Sequence, residues 1–125
     1  MQEPDTQGRP LREYLDPDYR PLCATLADVR ANIDRLDDQI VKLIAERAMY
    51  VKDAARFKRD AYQVSAPARQ AEVFEKARRL AERHNQGFAN LEQVVDAAYR
   101  AMVAAFVANE QTYFDAMKDA GDNHA

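Results

Sequence analysis

The sequence contains very little glycine. Its three glycines, Gly8, Gly87 and Gly121, leave residues 9–86 with none. Tight β-turns usually draw on glycine because its backbone tolerates positive φ. The scarcity of glycine therefore favours an all-helical fold over a sheet.

Cysteine and histidine are also scarce. Cys23 is the only cysteine, which excludes a disulfide within the chain and a thiolate cluster around a metal. His84 and His124 do not form a ligand pair on one helix face. We therefore expect no metal site.

The chain lacks a large charge excess and a long apolar run. A net charge of −3 gives no general reason to expect nucleic acid or an anionic membrane as a partner. No apolar run is long enough to span a bilayer, and no basic start precedes an apolar stretch as in a signal peptide. We expect a cytoplasmic protein that binds neither nucleic acid nor membranes.

Length and proline placement divide the chain into three parts. A chain of 125 residues suits one ordinary domain. Four of the five prolines lie within residues 1–24, which we interpret as an irregular N-terminal arm. Residues 25–118 are predicted to form a helical domain, and residues 119–125 a polar tail.

A long helix is predicted from Thr25 to about Arg59. Thr25 followed by Asp28 fits an N-cap with an acidic third helical position. Apolar residues then recur at alternating steps of three and four, without proline or glycine between them. At 1.5 Å per residue such a helix is about 50 Å long. We call its apolar stripe the α1 seam: Leu26, Val29, Ile33, Leu36, Ile40 and Leu43.

Two shorter helices are predicted after a short loop at residues 60–66. Pro67 suits the first turn of the second helix, and residues 85–87 form a helix stop in which Gly87 takes a left-handed conformation. Asn90 fits the N-cap of the third helix. These two helices are too short to cover the first, so we predict an intertwined homodimer with three helices in each chain.

Three polar residues interrupt the apolar stripes. Arg47 occupies the next slot of the α1 seam, Gln70 lies in the stripe of the second helix, and Glu110 in that of the third. A buried charge without a partner is costly. One explanation is structural: an ion pair such as Arg47 with Glu110 would fix the helix register, or the arginine would reach solvent at an edge.

The other explanation is an anion site inside the bundle. Arg47 and Lys58 are eleven residues apart, so on one helix they point the same way within about 20°. Arg69, beside Gln70, adds a cation near the positive end of the second helix. Arg30 lies about 100° around the helix from Arg47, so it should not join that pocket within one chain. In an intertwined dimer it could enter the pocket of the partner chain.

The ordered set of these residues resembles the all-helical chorismate mutases. The similar segments are LADVRANIDRLDDQIVKLIAERAMYVKDAARFK, VSAPARQAEVF and FVANEQTYF. Their shared pattern is an arginine, a second arginine seventeen residues later and a lysine eleven after that. An arginine then opens the second helix, and a polar residue interrupts the third. The resemblance implies an intertwined homodimer that converts chorismate, a dicarboxylate, into prephenate.

The resemblance also implies roles for single residues. Arg47 corresponds to the arginine that holds a substrate carboxylate, and Arg30 to the arginine contributed across the dimer. Lys58 corresponds to the cation that reaches the ether oxygen of the breaking bond. Glu110 would hydrogen-bond the same oxygen, for which its carboxyl must be protonated. Arg69 would lie near the other end of the site.

The reaction that the resemblance implies is pericyclic and needs no nucleophile and no cofactor. The enzyme must hold the diaxial conformer of the substrate, with its enolpyruvyl group over the ring. It must also stabilise the negative charge that grows on the ether oxygen as the C–O bond lengthens. Fixed cations suit both tasks.

Two positions depart from the pattern of many mutases. Ala66 and Gln70 stand where those enzymes carry an aspartate and a glutamate, the latter binding the ring hydroxyl. The segments APARQ and AMYVKDAARFK look closer to isochorismate-pyruvate lyases, which form salicylate. Those lyases carry glutamine at the position of Glu110, although a shift of one residue would place Gln111 there. A mutase, a lyase and a non-catalytic helical dimer therefore stay open.

Overall fold

A computed structural model describes residues 2–120, and every regular element in that range is helical. This confirms the all-helical prediction. The first helix ends at Ala54, earlier than the predicted Arg59, and a 3₁₀ turn continues it. The predicted polar tail, residues 119–125, lies largely outside the described residues. The elements are α1 (Leu26–Ala54), the 3₁₀ turn (Ala55–Phe57), α2 (Ala61–Ser65), α3 (Pro67–His84) and α4 (Leu91–Ala116).

The chain divides into two compact units, with the boundary inside α1 between Glu46 and Arg47. In the first unit, residues 2–24 contain no helix or strand. Thr25 caps α1 as predicted, because its Oγ1 accepts a hydrogen bond from the Asp28 amide at 3.2 Å. The carbonyl of Thr6 accepts a hydrogen bond from the Ala27 amide at 2.9 Å, which ties the arm to the first turn of α1.

The α1 seam remains in water. No residue of α1 is buried, and the seam side chains from Val29 to Leu43 are between 38% and 62% exposed. A regular apolar stripe on an amphipathic helix normally packs against another element. The exposed seam is therefore the surface that the predicted second copy would cover. None of the helices among residues 2–120 is long and apolar enough to cross a membrane.

The second unit is organised around α4. Helices α2 and α3 and the 3₁₀ turn all pack against it. On α3, Ala77 and Ala81 lie one turn apart and are 3% and 5% exposed, so small side chains form the face that meets α4. Val103 on α4 and Val64 on α2 are also buried. This packing brings the ends of several elements close to the middle of α4.

The connector at residues 60–66 is not a simple loop, contrary to prediction. It contains α2, whose N-cap is Asp60: Oδ1 of Asp60 accepts a hydrogen bond from the Gln63 amide at 2.9 Å. Helix α2 stops at Ala66, which adopts the left-handed conformation with φ of 47°. Ala66 precedes Pro67, and a residue before proline is disfavoured from continuing a right-handed helix. A helix of one turn is too short to show periodicity in the sequence.

The start of α4 differs from prediction in one respect. Asn90 occupies the N-cap position, but it is left-handed with φ of 59° and its side chain makes no capping hydrogen bond. The preceding turn is held by Asn85 instead, whose Oδ1 accepts hydrogen bonds from the Gly87 and Phe88 amides at 3.1 and 2.8 Å. Gly87 has the predicted positive φ, at 113°.

The strained backbone at Ala66 leads to a stability prediction. An alanine at positive φ carries an energetic cost that glycine avoids, so Ala66→Gly is expected to raise the free energy of unfolding by about 1 kcal/mol. Urea unfolding at one fixed protein concentration measures it. The matched control is Ala71→Gly on an exposed turn of α3, which should lower stability by about 1 kcal/mol. Equal losses in both variants would contradict strain at Ala66.

Candidate active site

A pocket of about 290 Å³ lies within the second unit. Its volume is at the small end of the range for small-molecule sites. The wall is mostly apolar, with side chains such as Val51, Val73 and Val107. Five residues that the sequence nominated also line it: Arg47, Lys58, Arg69, Gln70 and Glu110.

Lys58 and Glu110 form an ion pair in this pocket. Nζ of Lys58 lies 3.1 Å from Oε2 of Glu110, and the two side chains are 22% and 7% exposed. The same Nζ donates a second hydrogen bond to the carbonyl oxygen of Gln63 at 3.0 Å. The structural explanation considered for the sequence, an ion pair between Arg47 and Glu110, is therefore wrong in its partner: the cation beside Glu110 is Lys58.

Arg47 makes a different kind of contact. Its guanidinium carbon lies 5.3 Å from the ring centroid of Phe106, a distance typical of a cation–π interaction. Among residues 2–120, no carboxylate forms an ion pair with Arg47. The stacked ring thus holds the guanidinium without neutralising it, and its charge remains available to an anionic ligand.

Arg69 and Gln70 lie side by side at the start of α3 but differ in surroundings. Nη1 of Arg69 is 3.2 Å from Oε2 of Glu72, and both side chains are 68% exposed, so this pair sits at the rim. Gln70 is half-buried, and its Nε2 donates a hydrogen bond to the carbonyl oxygen of Ser65. That contact uses one of the two N–H donors of the amide and orients it, and Oε1 of Gln70 is its hydrogen-bond acceptor.

Two other predicted residues lie elsewhere. Arg30 is exposed on the part of α1 that belongs to the first unit, and it is not among the residues lining the pocket. Gln111 donates a hydrogen bond from Nε2 to Oδ1 of Asp115 at 2.8 Å and does not line the pocket either. Of the two neighbours on α4, the pocket contains Glu110.

Two backbone groups contribute to the site without any signal in the sequence. The carbonyl oxygens of Gln63 and Ser65 fix the side chains of Lys58 and Gln70. Every residue has a carbonyl group, so its role depends on the path of the chain and not on residue type. Phe106 is an apolar residue one turn before Glu110 on α4, and no sequence pattern indicates that it stacks on Arg47.

The electrostatics of the pocket favour an anion. Three cationic side chains, of Arg47, Lys58 and Arg69, face one carboxylate, of Glu110, among the lining residues. Low-dielectric walls strengthen the field of such an arrangement. The described part of the chain contains no group of histidine, cysteine, aspartate or glutamate residues that could hold a metal ion.

Comparison with known proteins identifies the family of this chain. The model of one protein family, chorismate mutase type II, matches residues 29–111. The chain belongs to the chorismate mutase type II family. The match confirms the resemblance inferred from the sequence, and the matched range contains every residue that lines the pocket, from Arg47 to Glu110.

Of two individual relatives, one is a mutase and the other is a lyase. A chorismate mutase of Methanocaldococcus jannaschii is 38% identical over 61 residues, which cover 48% of this chain and 62% of the relative. An isochorismate pyruvate lyase of Pseudomonas aeruginosa is 43% identical over 60 residues, covering 48% of this chain and 59% of the relative. The matches thus span about three fifths of the length of each relative.

The buried ion pair generates a second stability prediction. Lys58→Met keeps the length of the side chain but leaves the carboxylate of Glu110 without its cation. We expect the free energy of unfolding to fall by about 3 kcal/mol, because the buried carboxylate is left with neither a cation nor water to stabilise its charge. Urea unfolding measures the loss, and Lys58→Met combined with Glu110→Leu should recover part of it.

The matched control is Arg56→Met in the neighbouring 3₁₀ turn. Arg56 pairs with Asp53 at a similar distance of 3.0 Å, but those side chains are 63% and 60% exposed. Its removal should cost less than about 1 kcal/mol, since water screens a surface pair. Similar losses for Arg56→Met and Lys58→Met would show that burial does not strengthen the pair of Lys58 and Glu110.

Proposed function

We propose that this member of the chorismate mutase type II family converts chorismate into prephenate. The observation that supports this most strongly is the ammonium group of Lys58, held beside Glu110 in a pocket with mostly apolar walls. A second cation, Arg47, lines the same pocket and forms no ion pair with a carboxylate among residues 2–120. One cation can therefore bind the substrate while the other acts on the bond that breaks.

Substrate binding follows from the charges along the pocket. The guanidinium of Arg47 binds one carboxylate of chorismate, for which its planar donor fork is well suited. Arg69 at the rim attracts the negative charge at the other end of the ligand. Oε1 of Gln70 accepts a hydrogen bond from the ring hydroxyl. Together these contacts select the diaxial conformer, in which the two reacting carbon atoms lie close to each other.

Rate enhancement comes from Lys58. Its ammonium group has three N–H donors, and the carbonyl of Gln63 and the carboxylate of Glu110 occupy two of them. The third donates to the ether oxygen, whose negative charge grows as the C–O bond lengthens. This interaction is stronger in the transition state than in the ground state, so it accelerates the step. A protonated Glu110 would add a second donor, whereas ionised Glu110 orients Lys58.

No cofactor is required by this chemistry. One C–O bond breaks and one C–C bond forms within a single molecule, and the electrons move in a ring through the substrate. No group needs to be oxidised, reduced or transferred to the protein. The tasks left to the enzyme are holding the conformer and stabilising charge, which the five lining side chains can perform.

The active form is proposed to be a homodimer in which the α1 seams of two copies pack together. The seam side chains from Val29 to Leu43 are 38% to 62% exposed in one chain, which supports an apolar interface along α1. In this arrangement Arg30 enters the pocket of the partner subunit. It would bind a second carboxylate of the dianionic substrate there.

Isochorismate is the second candidate substrate. The specific observation that favours it is the 43% identity to an isochorismate pyruvate lyase. Gln70 and Ala66 also stand where many mutases carry acidic residues. The same site serves this reaction, because pyruvate release also breaks the ether bond and needs a cation at the ether oxygen.

A paired assay tests the proposed function. The purified protein is given chorismate and isochorismate separately, and products are identified by chromatography. We expect prephenate from chorismate as the faster reaction. Lys58→Ala should lower kcat/KM a few hundredfold, about 3–4 kcal/mol, whereas Arg56→Ala should leave it nearly unchanged.

The other outcomes of this assay are equally informative. Salicylate and pyruvate formed faster from isochorismate would replace the mutase proposal with the lyase. Neither product at any pH would contradict both and favour a non-catalytic helical dimer, in which Arg47 and Lys58 serve only structure.

The position of Arg30 can be tested with mixed dimers. Arg30→Ala and Lys58→Ala homodimers should each be inactive, but a dimer with one chain of each type rebuilds one complete pocket. Because random mixing makes half of the dimers mixed, we expect about a quarter of wild-type activity after co-refolding. Activity no higher than in the parent variants would show that Arg30 does not act across the dimer.

A further inference from the structure

In the short segment from Lys58 to Gln63, three hydrogen bonds join Gln63 to the residues before it. The Gln63 amide donates to Oδ1 of Asp60 at 2.9 Å, and Oε1 of Gln63 accepts from the Arg59 amide at 2.7 Å. The carbonyl oxygen of Gln63 accepts from Nζ of Lys58 at 3.0 Å. Gln63 is thus held by its amide, its side chain and its carbonyl. We call this segment, residues 58–63, the lysine clip.

The lysine clip is fixed to the rest of the second unit at both ends. Val64, the residue after Gln63, is 1% exposed, and its helix α2 packs against α4. At the other end, the Lys58 amide donates to the carbonyl oxygen of Ala55 at 3.2 Å, and Ala55 is also 1% exposed. The carbonyl of Gln63 therefore has a defined position relative to Glu110 on α4.

Such a fixed acceptor matters because a lysine side chain is flexible. Four rotatable bonds separate its ammonium group from the backbone, and one ion pair with Glu110 would leave the group free to rotate and shift. A second acceptor at a fixed position restricts both motions. With Gln63 and Glu110 each taking one N–H, the direction of the third is determined.

We propose that Asp60 and Gln63 are positioning residues for Lys58. Asp60 caps α2, the cap holds the Gln63 carbonyl in place, and this carbonyl aims the remaining N–H of Lys58 into the pocket. The role of that N–H in catalysis rests on the function proposed above. The geometry of the clip itself does not.

Asp60→Ala tests this positioning role, since it removes the cap without touching the pocket lining. Misplacing a catalytic donor by a fraction of an ångström to 1 Å costs up to about a hundredfold in rate. We expect kcat on the preferred substrate to fall about tenfold or more, with KM changed less than about twofold. We expect kcat to change more than KM because Lys58 acts mainly in the transition state.

Two further variants separate positioning from general damage. Asp60→Ser keeps an N-cap oxygen and should restore kcat to within about threefold of wild type. Asp16→Ala removes a hydrogen bond of the same kind and length, from the Asp18 amide to Oδ1 of Asp16 at 2.9 Å, in the arm. It should leave both kcat and KM unchanged. Circular dichroism and thermal unfolding confirm that each variant is folded.

An NMR measurement can test whether the lysine clip holds the ammonium group of Lys58, without any assay of activity. A lysine ammonium group held by two acceptors exchanges its protons slowly enough to give a ¹⁵Nζ–¹H signal, which Lys58→Met assigns by its loss. We expect the signal in the wild type and in Asp60→Ser, and its disappearance in Asp60→Ala. If the wild type converts neither substrate, the proposed function fails, and this signal alone then decides whether the clip holds Lys58.

Three results would overturn the positioning role. The first is a folded Asp60→Ala variant with kcat within twofold of wild type. The second is an Asp60→Ser variant as impaired as Asp60→Ala. The third is an ammonium signal of Lys58 that is the same in all three proteins, because it would mean that the cap does not affect the lysine.

Discussion

A carboxylate that is 7% exposed requires a cation close by, and for Glu110 that cation is Lys58 at 3.1 Å. Meeting this requirement arranges the second unit around α4. The chain leaves α1 through a 3₁₀ turn, which lets Lys58 reach Glu110 on α4, and it continues through α2 before α3 packs against α4. The pocket lies between α2, α3, α4 and the part of α1 that belongs to the second unit.

The same ion pair separates two tasks among the cations of the pocket. Glu110 offsets the charge of Lys58 and holds it, so Lys58 is oriented toward one point and not free to follow any anion. Arg47 stacks on the ring of Phe106 and has no carboxylate partner among residues 2–120, so in the proposed function its charge binds the ligand. Binding and transition-state stabilisation can thus rest on different side chains, as differential catalysis requires.

In the proposed dimer, the exposed α1 seam would contribute to both stability and function. The apolar side chains buried among the described residues of the second unit are small, alanine and valine, while the larger apolar side chains of α1 from Val29 to Tyr50 are exposed. Apolar burial is the dominant favourable term in folding, so covering the seam with a second copy would stabilise the protein in a concentration-dependent way. In the proposed dimer the same contact would complete the site with Arg30.

Local features of the sequence determined the three long helices and the cap at Thr25, since periodicity and capping act within a few residues along the chain. The sequence also nominated Arg47, Gln70 and Glu110, because a polar residue in an apolar stripe stands out. Lys58 and Arg69 followed from their positions along the helices relative to these residues. Only the tertiary structure decided that Glu110 pairs with Lys58 and not with Arg47. Lys58 and Glu110 are 52 positions apart in the sequence, and helix packing brings them together. The tertiary structure alone also revealed the carbonyl of Gln63 as an acceptor, because a backbone group takes its function from position and not from residue identity.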